Sequence, residues 1–413
     1  MYPERFVLLG FIFLFTIGRV AFDTFQQHYS PPKVATRVSA PGSSSGSSSS
    51  DHDGNASRVA ICLLGQLRHF ELTGPSIRKF VIDAHKDADI FLNVPLDENT
   101  WKIALLGVNA RFRIARIFRA YDMLESTMHK ELLKSKSSPN GVQGLLQYFS
   151  LVEGCMQLIV AYEKMHGFQY KWIVRTRLDG YWTAPLPATI FRPGVYTVPY
   201  GYDFGGLNDR LGAGDRQTTM ATINRLSILP SLHAQGYRNI HSERVFEVHL
   251  RVSGIRVAKE MLPFCILSHR NFPWPVLETP VASILSKGPL NGAYCRPCTP
   301  KAGQRESNRI VRKLYRNTGW WSVDRSGWIP TDGVTLELCD ASKQAWEDGW
   351  EAVFDRASGR EAAEIRMRLG NASLADCIEQ NEEFQRGWEI WDGMSPKDLC
   401  LHSRRDGQNF PLH

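Results

Sequence analysis

Short apolar runs alternate with helix-like segments between residues 59 and 272, and this alternation constrains the fold more than any other feature. The run Val59–Leu64 is followed by residues 73–86, whose apolar positions recur at helical spacing, and then by a second apolar run at residues 88–95. Strands joined by a crossover helix are parallel, and continuous apolar runs are typical of strands covered on both faces. The pattern predicts an α/β fold, a mainly parallel, Rossmann-like sheet flanked by helices, with Thr73 as the N-cap of the first helix.

The same alternation continues along the domain, to which we assign residues 58–272. Residues 111–121 predict a third strand, and Asn140–Gly167 is the most helix-like segment, with a glycine at its end. A strand at residues 170–179 follows at once. The remaining elements predicted are strands at 194–199 and 264–270, helices at 223–232 and 242–254, and a glycine-rich loop at 204–216.

Residues 273–413 lose this alternation and become rich in proline, glycine and cysteine. They contain five of the eight cysteines of the chain. The CxxC pair Cys295–Cys298 has no second pair to complete a zinc site, and nearby prolines favour a turn over the helix that a redox pair opens. We expect an irregular C-terminal extension with tryptophan-containing helical pieces, packed on or beside the domain, whose cysteines form disulfides if the domain is lumenal.

The N-terminal residues have the organisation of a type II membrane protein. A short tail at residues 1–5 precedes an apolar segment at 6–22, which we interpret as a signal anchor, with a cleaved signal peptide as the alternative. Residues 23–57 contain a long stretch of Ser, Gly and Pro and predict a flexible stem. Asn55 and Asn371 each begin an Asn-x-Ser triplet, the acceptor pattern for N-glycosylation.

The strand at residues 170–179 ends in charged residues. Because side chains alternate along a strand, we expect Arg175, Arg177 and Asp179 on one face. Buried arginines need anionic partners, and one aspartate satisfies only one of them well, which leaves capacity for a phosphate or a carboxylate. Asp179 is alternatively an oxygen ligand for Mg²⁺ or Mn²⁺ bridging a diphosphate. The remaining alternative is an internal Arg–Asp ion-pair network that pins the strand.

Two residues after the first strand suit an anionic ligand. In α/β proteins, ligands bind at the carboxyl ends of the strands. Gly65 allows close approach of the backbone to a ligand, and Arg68 is a candidate partner for phosphate. The alternative is a simple turn that ends the strand.

Four further polar residues are candidates for the same site. Asn208 and Asp209, in the glycine-rich loop, offer polar contacts to a sugar or an acceptor, or they cap a turn. Glu243 is either a catalytic base or an acidic residue favoured by the dipole of a helix first turn. His269 is a candidate late metal ligand or a structural histidine.

The chain resembles an uncharacterised plant family of membrane-anchored proteins through four motifs in order: "GQLRHF", "NGVQGLLQYFSLVEGC", "YKWIVRTRLD" and "GGLNDRLGAGD". That resemblance runs from about Val59 to the C-terminus. Residues 59–270 are also similar, more distantly, to GT-A-type glycosyltransferases, especially bacterial and viral lipopolysaccharide-synthesis types with an R-x-R-x-D strand end. This second resemblance implies a GT-A-like domain that binds a nucleotide-sugar donor over its first β–α–β unit.

The GT-A resemblance also implies roles for individual residues. Gly65, Gln66 and Arg68 match the donor-binding turn, and Asp179 matches the aspartate at the metal and diphosphate position. The chain departs from the family because it has no D-x-D: Arg177 stands two residues before Asp179. Mn²⁺ or Mg²⁺ therefore stays an open expectation, with the arginines replacing part of the charge of the cation.

Together these features predict a Golgi glycosyltransferase, of the hexosyl- or pentosyltransferase type, that moves a sugar from a nucleotide-sugar donor to a glycan or glycoconjugate acceptor. Glu243 or Asp209 is the expected base if the enzyme inverts. The alternative is a lumenal carbohydrate- or protein-binding membrane protein that keeps the fold without turnover. The formal charge of +7 is spread without a Lys/Arg block, which argues against nucleic acid as a partner. Nothing in the sequence implies an oligomeric state.

Overall fold

Twelve strands and eleven helices occur in the part of the chain that the computed structural model describes, which is residues 58–138, 140–274, 280–318 and 335–403. The predicted tail, signal anchor, stem and Asn55 lie outside these residues. The strands are β1 Val59–Leu64, β2 Ala88–Leu96, β3 Phe112–Arg119, β4 Trp172–Arg177, β5 Gly180–Trp182, β6 Val195–Pro199, β7 Leu211–Asp215, β8 Arg256–Glu260, β9 Phe264–Leu267, β10 Ala282–Ser283, β11 Ala293–Arg296 and β12 Ile390–Asp392. The helices are α1 Phe70–Ile77, α2 Thr127–Leu132, α3 Gly141–His166, α4 Arg216–Ile223, α5 Leu229–Ala234, α6 Ser242–Val252, α7 Gln304–Thr318, α8 Trp350–Ser358, α9 Arg360–Gly370, α10 Leu374–Arg386 and α11 Pro396–Ser403.

An eight-stranded sheet forms the centre of the fold, in the order β12-β3-β2-β1-β4-β7-β6-β8. The five strands from β12 to β4 are parallel to one another, β7 runs antiparallel to both β4 and β6, and β6 is parallel to β8. Helix α1 lies in the crossover from β1 to β2, so the carboxyl ends of β1, β2 and β4 share one edge of the sheet. The predicted α/β fold, with a mainly parallel sheet flanked by helices, is confirmed.

A second sheet of four strands, in the order β10-β11-β9-β5, begins where the first one ends. Strand β4 belongs to the large sheet, and after two residues, Leu178 and Asp179, the chain enters β5 of the small sheet. Strand β9 pairs antiparallel with β5, and Leu267 N at its end donates a hydrogen bond of 3.2 Å to the Asp179 carbonyl oxygen. The segment after β9 is thereby held beside the end of β4.

Side chains of β1 alternate between two apolar cores. Ile61 and Leu63 belong to the core that contains α1 and residues of α9, α10 and α11, whereas Cys62 and Leu64 face α3. All four are fully buried, and burial of a leucine or isoleucine side chain contributes about 1.5–3 kcal/mol relative to exposure. The crossover and the sheet are thus stabilised from both faces.

Helix α3 is the long helix that the sequence predicts, and Gly167 ends it in a left-handed conformation with φ of +70°. Its length and apolarity would also suit a membrane span, and it is one such helix among the described residues. More than half of its most apolar stretch is buried inside the protein, as in the core helix of a globular domain.

All eight cysteines of the chain form disulfides. The pairs are Cys62–Cys155, Cys265–Cys295, Cys298–Cys339 and Cys377–Cys400. Three of the four bridges use the C-terminal cysteines, and the two cysteines of the CxxC pair go to different partners. The fourth bridge ties β1 to α3 within the core. Disulfides persist in oxidising compartments, so the structure is compatible with a secretory protein.

Two local predictions are wrong. The glycine-rich segment expected as a loop contains β7, and a Cβ at Gly212 would approach Tyr196 Oη to 2.1 Å. These glycines therefore let an aromatic ring pack across a strand. Helix α1 begins after His69 rather than at Thr73, whose hydroxyl instead donates a hydrogen bond of 2.8 Å to the Leu178 carbonyl oxygen.

Candidate functional site

A cleft of about 730 Å³ opens at the edge of the large sheet where β1 and β4 end. Its wall combines the turn after β1, the end of β4, the loop before β7, the start of α6 and the segment after β9. Eight residues singled out from the sequence line it: Gly65, Gln66, Arg68, Arg177, Asp179, Asp209, Glu243 and His269. Ligands of α/β proteins bind at this edge, so the cleft is the candidate functional site.

The turn after β1 brings the backbone to the cleft. Gly65 has φ of +120°, a conformation that other residues avoid, and the chain can therefore turn sharply at the strand end. Leu178 N donates a hydrogen bond of 2.9 Å to the Leu64 carbonyl oxygen, which holds this turn against the end of β4. Gln66 and Arg68 are exposed on the cleft wall, where their polar groups are accessible to a ligand.

Asp179 is paired with the arginine two residues before it. Arg177 Nε and Nη2 donate to Asp179 Oδ1 and Oδ2 at 2.9 and 2.5 Å, so both carboxylate oxygens are engaged by one guanidinium. Burial alone would raise the pKa of Asp179, but Arg177, assisted by Arg210 and Arg68, holds that pKa below its usual value. Asp179 is thus an ionised carboxylate that Arg177 engages directly and that Arg210 and Arg68 stabilise electrostatically.

Asp209 lies deeper, among buried cations. Its Oδ2 accepts hydrogen bonds from Arg225 Nη1 at 2.9 Å and from Ser242 Oγ at 2.5 Å, and its carbonyl oxygen accepts one from Arg175 Nη1 at 2.7 Å. Burial opposes ionisation of Asp209, but Arg225 and Arg175 outweigh it and hold the pKa below its usual value. A carboxylate held in this way fixes the loop and is poorly suited to accept a proton near neutral pH.

Arg175 and Asn208, the remaining predicted contact residues, lie behind the cleft wall. Arg175 is 1 % exposed, and its guanidinium lies 5.4 Å from the centre of the Phe246 ring. Asn208 Nδ2 donates to the carbonyl oxygens of Gly201 and Asn291, both at 2.9 Å. Both side chains are engaged inside the protein, where they hold the loop before β7.

Glu243 lies in the first turn of α6, on the cleft wall. Its Oε2 is 3.0 Å from His241 Nδ1, and 22 % of its side chain is exposed. The loop before β7 approaches closely here, because a Cβ at Gly206 would meet the Glu243 carbonyl oxygen at 2.1 Å. Glu243 is more exposed than Asp179 or Asp209 and contacts a histidine, an arrangement that suits a proton acceptor.

His269 lies in an aromatic stack beside the cleft. Its ring is parallel to that of His69, with ring centres 4.3 Å apart, and both rings pack on Trp346 at 4.3 and 4.7 Å. Trp346 is held in turn by a hydrogen bond of 3.1 Å from Nε1 to the Ser268 carbonyl oxygen. Across the residues that the structure describes, no group of three His, Cys, Asp or Glu side chains is placed to hold a metal ion.

The sequence reasoning missed Arg210, which lines the cleft and is only 5 % exposed. Its guanidinium lies 4.7, 5.3 and 5.7 Å from the ring centres of Tyr294, Tyr202 and Phe204. Arg210 follows Asp209 directly in the sequence. A charged pair within a glycine-rich segment is a signal that could have identified Arg210 as a site residue. Tyr294 comes from β11, beyond the domain boundary at residue 272, so no local pattern pointed to it.

Comparison with known protein families identifies the family of the chain. A family model described as "Domain of unknown function (DUF7796)" matches residues 54–406, which include both sheets and the whole cleft. The chain belongs to this family. No curated protein matches it. The description of the DUF7796 family assigns no activity, and function must therefore be argued from the cleft of this domain.

Proposed function

We propose that the DUF7796 domain of this chain is a glycosyltransferase that moves a sugar from a nucleotide-sugar donor to a glycan or glycoconjugate acceptor. The observation that carries the proposal is the cleft, which Arg68, Arg177, Arg210, Asp179 and Glu243 all line and in which the three arginines act on Asp179. A nucleotide sugar has an anionic diphosphate that arginines bind well, and transfer to a hydroxyl needs a proton acceptor.

The sheet supports a GT-A-like interpretation. Its first unit is β1–α1–β2, and a single reversed strand, β7, separates β4 from β6 in an otherwise parallel arrangement. Asp179, the residue matched to the diphosphate-binding aspartate, stands where the chain passes from the large sheet to the small one. A mainly parallel sheet flanked by helices is what the GT-A resemblance implies.

The donor would lie over the turn after β1, with its diphosphate towards the arginines. The Mn²⁺ or Mg²⁺ ion that the GT-A resemblance implies does not fit the residues present, because Arg177 engages both oxygens of Asp179. His269, the second candidate ligand, packs in the stack with His69 and Trp346. No step of the proposed reaction uses a metal ion.

Glu243 is the base in this proposal, and Asp209 is a positioning residue. The acceptor hydroxyl attacks the anomeric carbon of the donor sugar, and its proton passes to the Glu243 carboxylate. The bond from that carbon to the diphosphate oxygen breaks, and its electron pair leaves with the nucleoside diphosphate, which gains one negative charge that the arginines stabilise. Asp209, which Arg225 and Ser242 engage, holds the loop that forms this wall.

The cellular setting that we propose is the Golgi membrane, with a type II anchor and a lumenal domain. Four disulfides support an oxidising compartment. Asn371 ends helix α9 and is exposed, so its glycosylation triplet is accessible. The apolar segment at residues 6–22 and the Ser-rich stretch within residues 23–57 support the same setting.

The proposal is tested by incubating the full chain with a panel of nucleotide sugars and measuring release of nucleoside diphosphate. We expect turnover with at least one donor and a loss of about 10²- to 10⁴-fold in Glu243→Gln, without loss of donor binding. Glu361→Gln is the matched control, because Glu361 is an exposed first-turn acid of α9 outside the cleft lining. Binding without turnover would favour the alternative of a lumenal binding protein that keeps the fold. The proposal is wrong if no donor binds.

A further inference from the structure

We infer that the cleft binds the anionic part of its ligand directly through arginines, with Arg210 as the central contact and Asp179 as the counter-ion that positions Arg177, rather than through a divalent cation. The inference deepens the proposed function and rests on it, because the anion that we assign is the diphosphate of a nucleotide sugar.

Arg210 carries a buried charge whose guanidinium is not fully hydrogen-bonded. Its Nη1 is buried and has no hydrogen-bond partner among the described residues. Asp179 is near enough for Arg210 to act on its pKa, but Arg177 engages both oxygens of that carboxylate. A guanidinium stays protonated, and burial of an unpaired charge is costly. An anion that enters the cleft would supply the missing partner.

Three aromatic rings lie within 6 Å of the Arg210 guanidinium. Tyr202 and Phe204 precede it in the loop and Tyr294 comes from β11. Cation–π contacts contribute less than a buried charge loses on leaving water. The rings therefore orient the guanidinium without neutralising it.

Backbone strain accompanies this arrangement. Tyr202 and Phe204 have φ of +52° and +46°, and these left-handed conformations are uncommon for aromatic residues. Each conformation is strained and persists only where surrounding structure imposes it, which is a feature of ligand sites. Both strained residues contact the same guanidinium, so the strain coincides with the proposed anion contact.

The charge around Asp179 suits a dianion. Arg68, Arg177 and Arg210 all lower the pKa of Asp179, which means that the three cations lie close enough to act on one carboxylate. These four side chains alone, three positive and one negative, carry a formal charge of +2. A divalent cation would raise it to +4, and repulsion between like charges opposes that. The diphosphate of a nucleotide sugar, in contrast, matches the charge already present.

The two assignments for Asp179 predict opposite effects of one substitution. If Asp179 is a counter-ion, Asp179→Asn raises the formal charge of the site from +2 to +3 and releases Arg177. Anion binding should then tighten, by about 3- to 10-fold for a gain of roughly 1 kcal/mol. If Asp179 binds a metal ion that holds the anion, the same substitution should abolish binding.

The experiment is a calorimetric titration of the full chain with inorganic pyrophosphate, and then with a panel of nucleoside diphosphates, in EDTA and in excess MnCl₂. We expect binding in EDTA, a tighter complex in Asp179→Asn, and affinity about 10- to 100-fold weaker in Arg210→Met, since a hydrogen bond to a charged group contributes about 1.5–3 kcal/mol. Arg360→Met is the control, because Arg360 is 92 % exposed on α9 and its loss should leave affinity unchanged.

Arg210→Lys is a control for a folding defect, because it keeps the positive charge and loses only the planar guanidinium group. It should bind pyrophosphate with intermediate affinity, and all variants should unfold at the wild-type temperature within a few degrees. Equal affinities in Arg210→Lys, Arg210→Met and the wild type would contradict the inference.

The outcomes separate this inference from the proposed function. Binding only with MnCl₂, lost in Asp179→Asn, would overturn the inference and leave the glycosyltransferase proposal standing. Pyrophosphate binding through Arg210 without binding of any nucleoside diphosphate would support the arginine site and contradict the nucleotide-sugar donor. If neither ligand binds, both are wrong.

Discussion

Arg225 and Asp209 form an ion pair inside the protein, with Arg225 Nη1 2.9 Å from Asp209 Oδ2 and the arginine side chain fully buried. The pair fixes the loop between β6 and β7 from inside the protein. Arg210, which follows Asp209 in this loop, lines the cleft. A structural ion pair thus positions a cation that is available to a ligand.

Removing one partner of this buried pair should be strongly destabilising. Arg225→Met leaves the Asp209 carboxylate buried without its main cation, and we expect the free energy of unfolding to fall by about 3–5 kcal/mol. Equilibrium unfolding in urea measures the change. Arg309→Met, which removes an arginine that is 70 % exposed in a surface pair on α7, should cost no more than about 1 kcal/mol. Similar losses in both variants would contradict a structural role for the Arg225–Asp209 pair.

Because the loop before β7 lies close to α6, the addition of one methyl group at Gly206 should lower stability. In Gly206→Ala the new Cβ would meet the Glu243 carbonyl oxygen at 2.1 Å and Arg244 N at 2.5 Å, so the loop must shift. We expect a loss of about 1–3 kcal/mol in the free energy of unfolding, together with weaker ligand binding. Gly303→Ala is the control, because no atom lies within 4 Å of a Cβ there. Unchanged stability and binding in Gly206→Ala would show that this contact is not restrictive.

His249 predicts how stability depends on pH. Its side chain is 2 % exposed, and burial, together with Arg225, lowers its pKa from an ordinary 6.5 to about 4. Below pH 6.5 the imidazole of His249 becomes protonated in the unfolded chain, whereas in the folded chain it stays neutral until the pH approaches 4. Stability should therefore fall as the pH drops from about 6.5 to about 4, by roughly 3 kcal/mol over the whole window.

The variant His249→Gln should lose much of this dependence, whereas His402→Gln, at an exposed position of α11, should keep it. Urea unfolding of both variants at several pH values between 7 and 4.5 makes the comparison. An equal acid dependence in the wild type and His249→Gln would contradict the assignment.

The four disulfides predict that the folded chain has no reactive thiol. Denatured, unreduced protein should not react with a thiol reagent, and all eight cysteines should react after reduction. Replacing both Cys62 and Cys155 by alanine should cost about 2–5 kcal/mol, and more than replacing Cys377 and Cys400, because their sequence separation of 93 residues exceeds the 23 of the second pair. Free thiols in the purified chain would contradict the pairing and the oxidising compartment.

Sequence reasoning succeeded where a fold element carries its own local pattern. Strands β1, β2, β3, β4, β6 and β9 and helices α3 and α6 follow from apolar runs and helical spacing. It failed where pairing is non-local. Strand β12 has only three residues and joins the edge of the large sheet beside β3, far away along the chain. Strand β7 was predicted as a loop because it is rich in glycine, and these glycines instead accommodate the ring of Tyr196.

The candidate site was predictable in location but not in the direction of each side chain. The edge of the sheet, the turn after β1 and the charged end of β4 are consequences of the parallel topology. Neighbours in a loop do not follow strand alternation, so Asp209 turns inward to Arg225 while Arg210 faces the cleft. The aromatic ring of Tyr294 reaches that arginine only because β11 joins the small sheet.

The central claim is that the cleft accepts the nucleoside diphosphate part of a nucleotide sugar, and calorimetric titration of the full chain with a panel of nucleoside diphosphates tests it most directly. We predict that at least one of them binds at a single site per chain, with affinity reduced about 10-fold in Arg68→Met, since one charge-assisted hydrogen bond is lost. If none of them binds, with or without MnCl₂, or if binding is the same in Arg68→Met, Arg210→Met and the wild type, the account is contradicted.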